Sequence, residues 1–317
     1  MRVLQSILLL VLGFVLLVKG ADFFVEGAAS VAKKFNIPSL IVGLTIVAMG
    51  TSLPECSVSV IASLKNSNSL AISNVVGSNI FNLMVVCGIC ALFVPLKVSK
   101  ITVVRDLPIS IVCAVLLGWF GLSAMKIVRM EGIILLCCFG TFLLLMITST
   151  ISARKKGVHV EVEGEDIKAV ALWQCVLYII GGIVAIKYGG DIVVSSAVDI
   201  AIRVGVTETV IGLTIVALGT SLPELVTSIV AARKDEVDMA VGNVIGSNIF
   251  NILLVLGVAS SIGSIEFIQH NLWDIIVLVV FSLAIGVIAW FKGKINRMDG
   301  VVMLACYSAY TAFILVR

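Results

Sequence analysis

GLTIVAMGTSLPE, residues Gly43–Glu55, decides the reading of this chain, because it returns as GLTIVALGTSLPE at Gly212–Glu224. Only Met49 against Leu218 separates the two copies. Downstream, SNVVGSNIFN (Ser73–Asn82) returns as GNVIGSNIFN (Gly242–Asn251), and both blocks recur at a single offset of 169 residues. Matched blocks at constant spacing mark two homologous halves. What the halves share most closely is their most polar part.

Working outward, apolar residues make up 60% of the 317, charged residues 13%, and the mean hydropathy is +1.18. A soluble domain carries roughly 25% charge. Apolar runs long enough to cross a bilayer, about 20 residues, follow one another along the chain. The composition implies an all-α polytopic membrane protein whose surroundings are the lipid bilayer. The net charge of +3 then points to no nucleic-acid partner. Ten transmembrane helices are predicted, at 4–28, 40–64, 70–94, 104–122, 128–150, 169–194, 209–234, 239–262, 272–291 and 297–316. The N-terminal run reads as a retained first helix rather than a signal peptide. Its Gly20 and Asp22 recur at the same offset as Gly189 and Asp191.

The division expected is a first repeat over 1–150, a cytosolic linker over 151–168 and a second repeat over 169–317. The linker is a basic run followed by an acidic one and reads as a solvated connection. Weak cation regulation at Glu161, Glu163, Glu165 and Asp166 is the alternative. With the N-terminus outside the cell, fourteen Lys and Arg fall in cytosolic loops and six outside. The positive-inside rule therefore puts this multi-pass protein in the plasma membrane with both termini outside. Five spans per half is an odd number, so the second half must enter the membrane from the opposite side. Inverted repeats of this kind are a transporter architecture, with the substrate expected at the midplane between them.

Ala48, Thr51, Ser52 and Glu55 follow helical spacing and share one face. Ser78 and Asn82 share another. The second half repeats them as Ala217, Thr220, Ser221, Glu224, Ser247 and Asn251. Pro54 and Pro223 should break their helices and free backbone carbonyls, which lipid cannot solvate. Asn74, Asn79, Asn243 and Asn248 read as packing or capping residues. Lys19 and Lys187 lie within spans but are read as near helix ends, from which they can snorkel. A matched pair of buried Glu without a basic partner on its own spans asks for an external cation. Oxygen donors without Cys or His argue against zinc, copper or nickel. Ca2+ accepts about six to eight oxygens, whereas Mg2+ keeps its water. The residues thus favour Ca2+ with Na+ as counter-ion and leave K+ and H+ open. The eight cysteines fall in apolar segments and read as small apolar side chains. No HExxH, Ser–His pair or nucleotide loop supports an enzyme, and no cofactor is expected.

GTSLPE at Gly50–Glu55 and Gly219–Glu224, each followed by GSNIFN, resembles the α-repeats of the cation/calcium exchanger superfamily. The chain is most similar to its compact prokaryotic sodium/calcium exchangers. The resemblance implies that Glu55 and Glu224, with the carbonyls of Thr51 and Thr220, hold Ca2+. It further implies that the carbonyls of Ala48 and Ala217, with Thr51, Ser52, Ser78, Thr220, Ser221 and Ser247, share Na+ with those Glu. Asn82 and Asn251 would complete a central position. The first and sixth helices are expected to slide across the core to alternate access. The family's archaeal exchanger of known structure carries an acid at the position of Asn251, which bears on stoichiometry. The function expected is a monomeric antiporter exchanging Ca2+ for Na+. A Ca2+/H+ or K+-dependent antiporter is the alternative, and a cation channel a remote one.

Overall fold

The computed structural model describes residues 2–64, 69–155, 170–206, 211, 215 and 217–316. Among these, seven helices are long and apolar enough to cross a bilayer, and a bent pair would make an eighth. Helix α1 (Arg2–Phe35) and a later helix of 32 residues over Leu172–Arg203 both outrun their predicted spans. Lys33 and Lys34 in the last turn of α1, and Arg203 in that of the later helix, offset the negative end of the helix dipole. These polar residues extend the helices instead of ending them. In consequence Lys19 and Lys187 sit mid-helix, which corrects the expectation that they lie near helix ends. Each is held by an acid one turn on, Lys19 by Asp22 at 4.0 Å and Lys187 by Asp191 at 2.9 Å.

The second predicted span is assembled from α2 (Ser39–Val42), a π-helical turn (Gly43–Val47), α3 (Ala48–Thr51) and α4 (Leu53–Leu64). It bends by 44° where α3 meets α4. The break falls at Ser52 (φ −84°, ψ 6°), so Pro54 enters the first turn of α4, where a missing N–H costs nothing. The kink divides Ala48, Thr51, Ser52 and Glu55 between two segments, rather than leaving them on one continuous helical face. A rod of α5 (Ser69–Phe81), a π-helical turn (Asn82–Val86) and α6 (Cys87–Phe93) follows. Strand β1 (Leu96–Lys97), α7 (Leu107–Ala124), β2 (Lys126–Ile127) and α8 (Arg129–Lys155) complete the first half.

The second half opens with α9 (Leu172–Arg203). The seventh predicted span falls partly outside the described residues and is followed from α10 (Ala217–Gly219) into α11 (Leu222–Arg233). Ser221 (φ −95°, ψ 4°) makes the break here, with Pro223 again in the first turn. Then come α12 (Val237–Phe250), a π-helical turn (Asn251–Leu256) and α13 (Gly257–Ile262). After them run β3 (Ile265–Glu266), α14 (Gln269–Lys292), β4 (Lys294–Ile295) and α15 (Arg297–Val316).

The two polar rods, α5–α6 and α12–α13, are the most buried elements. α12 crosses the broken helix so closely that a Cβ at Gly246 would lie 2.7 Å from the Leu44 carbonyl oxygen. Outside this core, α1 and α9 pack antiparallel along a glycine stripe. A Cβ at Gly20 would lie 2.8 Å from that of Ala185, and one at Gly182 2.7 Å from that of Phe24. Small residues let two backbones approach where hydrophobic driving force between helices is absent. Their outward faces are apolar and exposed, with Leu8, Leu12 and Val15 on α1 and Leu177, Ile180 and Val184 on α9. Two short antiparallel ribbons join the halves. β1 pairs with β4, placing Lys97 opposite Lys294, and β2 pairs with β3, placing Lys126 opposite Glu266.

Candidate cation site

Glu55 lies in the first turn of α4 and Glu224 in the first turn of α11, both fully buried. The helix start supplies positive dipole to each carboxylate. Each acid is also reached from the opposite half. Ser52 Oγ donates to Glu224 Oε1 at 3.0 Å, and Ser221 Oγ donates to Glu55 Oε1 at 3.3 Å. The hydroxyl at each helix break therefore serves the other break's acid. Ser221 Oγ lies 3.1 Å from Ser78 Oγ, and Thr51 Oγ1 lies 3.5 Å from Ser247 Oγ. The Ala48 carbonyl accepts from the Ser52 N–H at 3.0 Å and from Thr51 Oγ1 at 3.3 Å. Ala217 opens α10, and its side chain lies outside the described residues. Thr220 Oγ1 is buried without a hydrogen-bond partner.

Asn82 and Asn251 each begin a π-helical turn. Such turns occur often at functional sites. Their amide orientation is set by the asparagines read above as packing residues. Asn79 Nδ2 donates to the Asn248 carbonyl and Asn248 Nδ2 to the Asn79 carbonyl, both at 3.1 Å. The side-chain oxygens of that pair then accept from Asn251 Nδ2 at 3.1 Å and from Asn82 Nδ2 at 3.3 Å. With an N–H of each amide engaged there, the Oδ1 atoms of Asn82 and Asn251 are left unpartnered. Asn243 performs a related task, accepting from Thr51 Oγ1 at 3.1 Å and donating to Ser228 Oγ at 2.9 Å. Asn79 and Asn248 were within reach of sequence reasoning: each precedes its site asparagine by three residues and so shares its face.

Glu55 Oε2, Glu224 Oε2, Asn82 Oδ1, Asn251 Oδ1 and Thr220 Oγ1 are all buried with no hydrogen-bond partner in the protein. An unsatisfied buried polar atom costs about 1–3 kcal/mol, and more when charged. Five such oxygens, contributed by both halves, suit a hard cation. Among the described residues no group of three or more His, Cys, Asp or Glu forms a metal cluster. The unpartnered oxygens here belong to carboxylate, amide and hydroxyl groups. A cleft of about 290 Å³ leads to Thr220, lined by Pro54, Ser57, Lys187, Asp191 and Ser195 among others.

Comparison with known proteins gives the chain its family. The family model described as sodium/calcium exchanger protein matches residues 5–148 and again 175–316, one match in each half. The putative antiporter CaxA of Alkalimonas amylolytica is 38% identical, over 97% of this chain and 98% of its own length. The sodium/calcium exchanger MaX1 of Methanosarcina acetivorans is 32% identical, over 96% and 97%. Among solved structures, the sodium-calcium exchanger NCX_Mj soaked with zero Na+ and Ca2+ superposes with a TM-score of 0.85 at 30% identity. That likeness covers 98% of this chain and 99% of the other. These relatives are membrane exchangers rather than enzymes, and with a family match across both halves the chain belongs to the sodium/calcium exchanger family.

Proposed function

We propose that this Ca2+ antiporter is driven by Na+, and that Glu55 and Glu224 jointly hold the ion midway between the halves. The observation that carries the reading is the group of buried, unpartnered oxygens: one from each carboxylate, one from each of Asn82 and Asn251, and one from Thr220. On this reading Ca2+ lies between the two carboxylates with the carbonyls of Thr51 and Thr220. Na+ takes flanking positions among Ser52, Ser78, Ser221, Ser247 and the carbonyls of Ala48 and Ala217. Bound cations compensate the two acids and let the site pass between access states. Without them, two bare carboxylates would face a dry crossing, which couples the two fluxes. Any net charge moved per cycle adds about 2.3 kcal/mol per 100 mV of membrane potential.

The architecture proposed with it is two inverted five-helix repeats, 1–150 and 169–317, joined by a linker over 151–168. The ribbons support inversion. β1 follows the third helical rod of its half and β4 the fourth of the other, yet the two strands pair. Loops that meet belong on one side of a membrane, which favours halves that run in opposite senses. Insertion in the plasma membrane with both termini outside, as a monomer, completes the proposal.

Purified protein in proteoliposomes should take up radiolabelled Ca2+ when loaded with Na+ and diluted into Na+-free medium. Uptake driven by a pH gradient alone would replace Na+ by H+ in this scheme.

A further inference from the structure

We propose that Lys234 is a positioning residue for exchange: its ammonium latches α1 shut over the counterpart of the open cleft, and its release switches which side the ion site faces. The inference rests on the antiport reading. It starts from a difference between the halves. The open cleft is lined by Ser57, Val58, Gly190, Asp191, Val194 and Ser195 beside Gly219 and Thr220. At the offset of 169 residues, the matching positions are Val226, Thr227, Ala21, Asp22, Val25 and Glu26 beside Gly50 and Thr51.

That second set is closed. Thr227 is 0% exposed where Val58 is 45% exposed, and Ala21, Val25 and Thr51 are fully buried. α1 packs along α11, whereas the cleft opens between α9 and α4.

Across the closed seam, Lys234 caps the C-terminal end of α11. Its Nζ lies 2.6 Å from Asp22 Oδ1, 3.6 Å from Glu26 Oε2 and 3.2 Å from the Asp22 carbonyl oxygen. Three oxygens around one ammonium is the arrangement a travelling cation would seek. The tether stands in for such a cation and ties α1 to the core. On the open side the position that matches Lys234 is Lys65, which lies outside the described residues. Asp191 pairs instead with Lys187 on its own helix, and Ser195 replaces the second acid. A pair within one helix cannot hold α9 to the core. Because α1 and α9 are locked together by their glycine stripe, freeing α1 frees the pair. The seam at Lys234 would then open as the cleft at Asp191 closes.

Two reporters test this, read by peptide mass spectrometry after a pulse of a membrane-impermeant thiol reagent on purified protein. One is Thr227→Cys in the closed seam and the other Val58→Cys in the open cleft. Lys234→Met should raise labelling at position 227 about tenfold, the loss of one charge-assisted contact, and lower it at position 58. Asp22→Lys combined with Lys234→Asp should restore both to the parent pattern. Labelling that rises at both positions, or changes at neither, overturns the latch. So does a charge swap that fails to restore. Labelling does not depend on which ion drives transport. An absence of Na+-driven Ca2+ uptake would sink the antiport reading through a different measurement.

Discussion

At the scale of single residues, the two carboxylates share one arrangement of their oxygens. One oxygen of each is held by a serine of the opposite half, and the other is left bare. Glu55→Gln or Glu224→Gln keeps the shape but removes the charge proposed to bind a divalent ion. Each should abolish Ca2+ exchange in proteoliposomes while leaving the purified protein monodisperse with an unchanged helical spectrum. Asn79→Ala offers a subtler check, because Asn79 contributes no unpartnered oxygen. It frees the amide of Asn251 to rotate, so Ca2+ affinity should fall on the order of fivefold, the weight of one neutral hydrogen bond. Half-saturation of Ca2+ uptake measures it. The acids were legible because they recur at a fixed offset. The direction of the amide bonds was not, since each amide's partner lies in the other half.

At the scale of elements, the tight α1–α9 seam makes a sharp demand on side-chain size. Gly20→Leu places new bulk against the Ile186 backbone nitrogen, 2.9 Å from the first added carbon. Overpacking of this kind costs about 1–3 kcal/mol. Thermal stability in detergent should drop, whereas Gly140→Ala, with nothing within 4 Å, should leave it unchanged. Proline marked both helix breaks in the sequence, and both fall within two residues of Pro54 and Pro223. The true lengths of α1 and α9 were hidden. Lysines that read as polar stops are dipole-compensating last turns, so Lys19 and Lys187 lie deeper than hydropathy suggested.

For the molecule as a whole, the ribbons join the halves and pack chiefly on helices other than α1 and α9. Lys97→Cys with Lys294→Cys should form a disulfide across the first ribbon. A protease site cut into the 151–168 segment would then leave one band on a non-reducing gel. Exchange should survive that cross-link, because the moving pair lies outside it. Loss of uptake restored by reductant would mean that the halves themselves separate during the cycle. The doubling of the chain was plain from the sequence. These ribbons were not, since two-residue strands inside polar breaks carry no periodic pattern.

The π-helical turns at Asn82 and Asn251 hold a record of ancestry. Each winds one residue more than an α-helical turn into the same stretch of rod, at equivalent places 169 residues apart. A wedge repeated in this way is inherited, not acquired twice. The winding that aims these amides is common to both halves, so a duplication that made the chain copied a unit already wound this way, before the proposed ion site could be assembled from two of them.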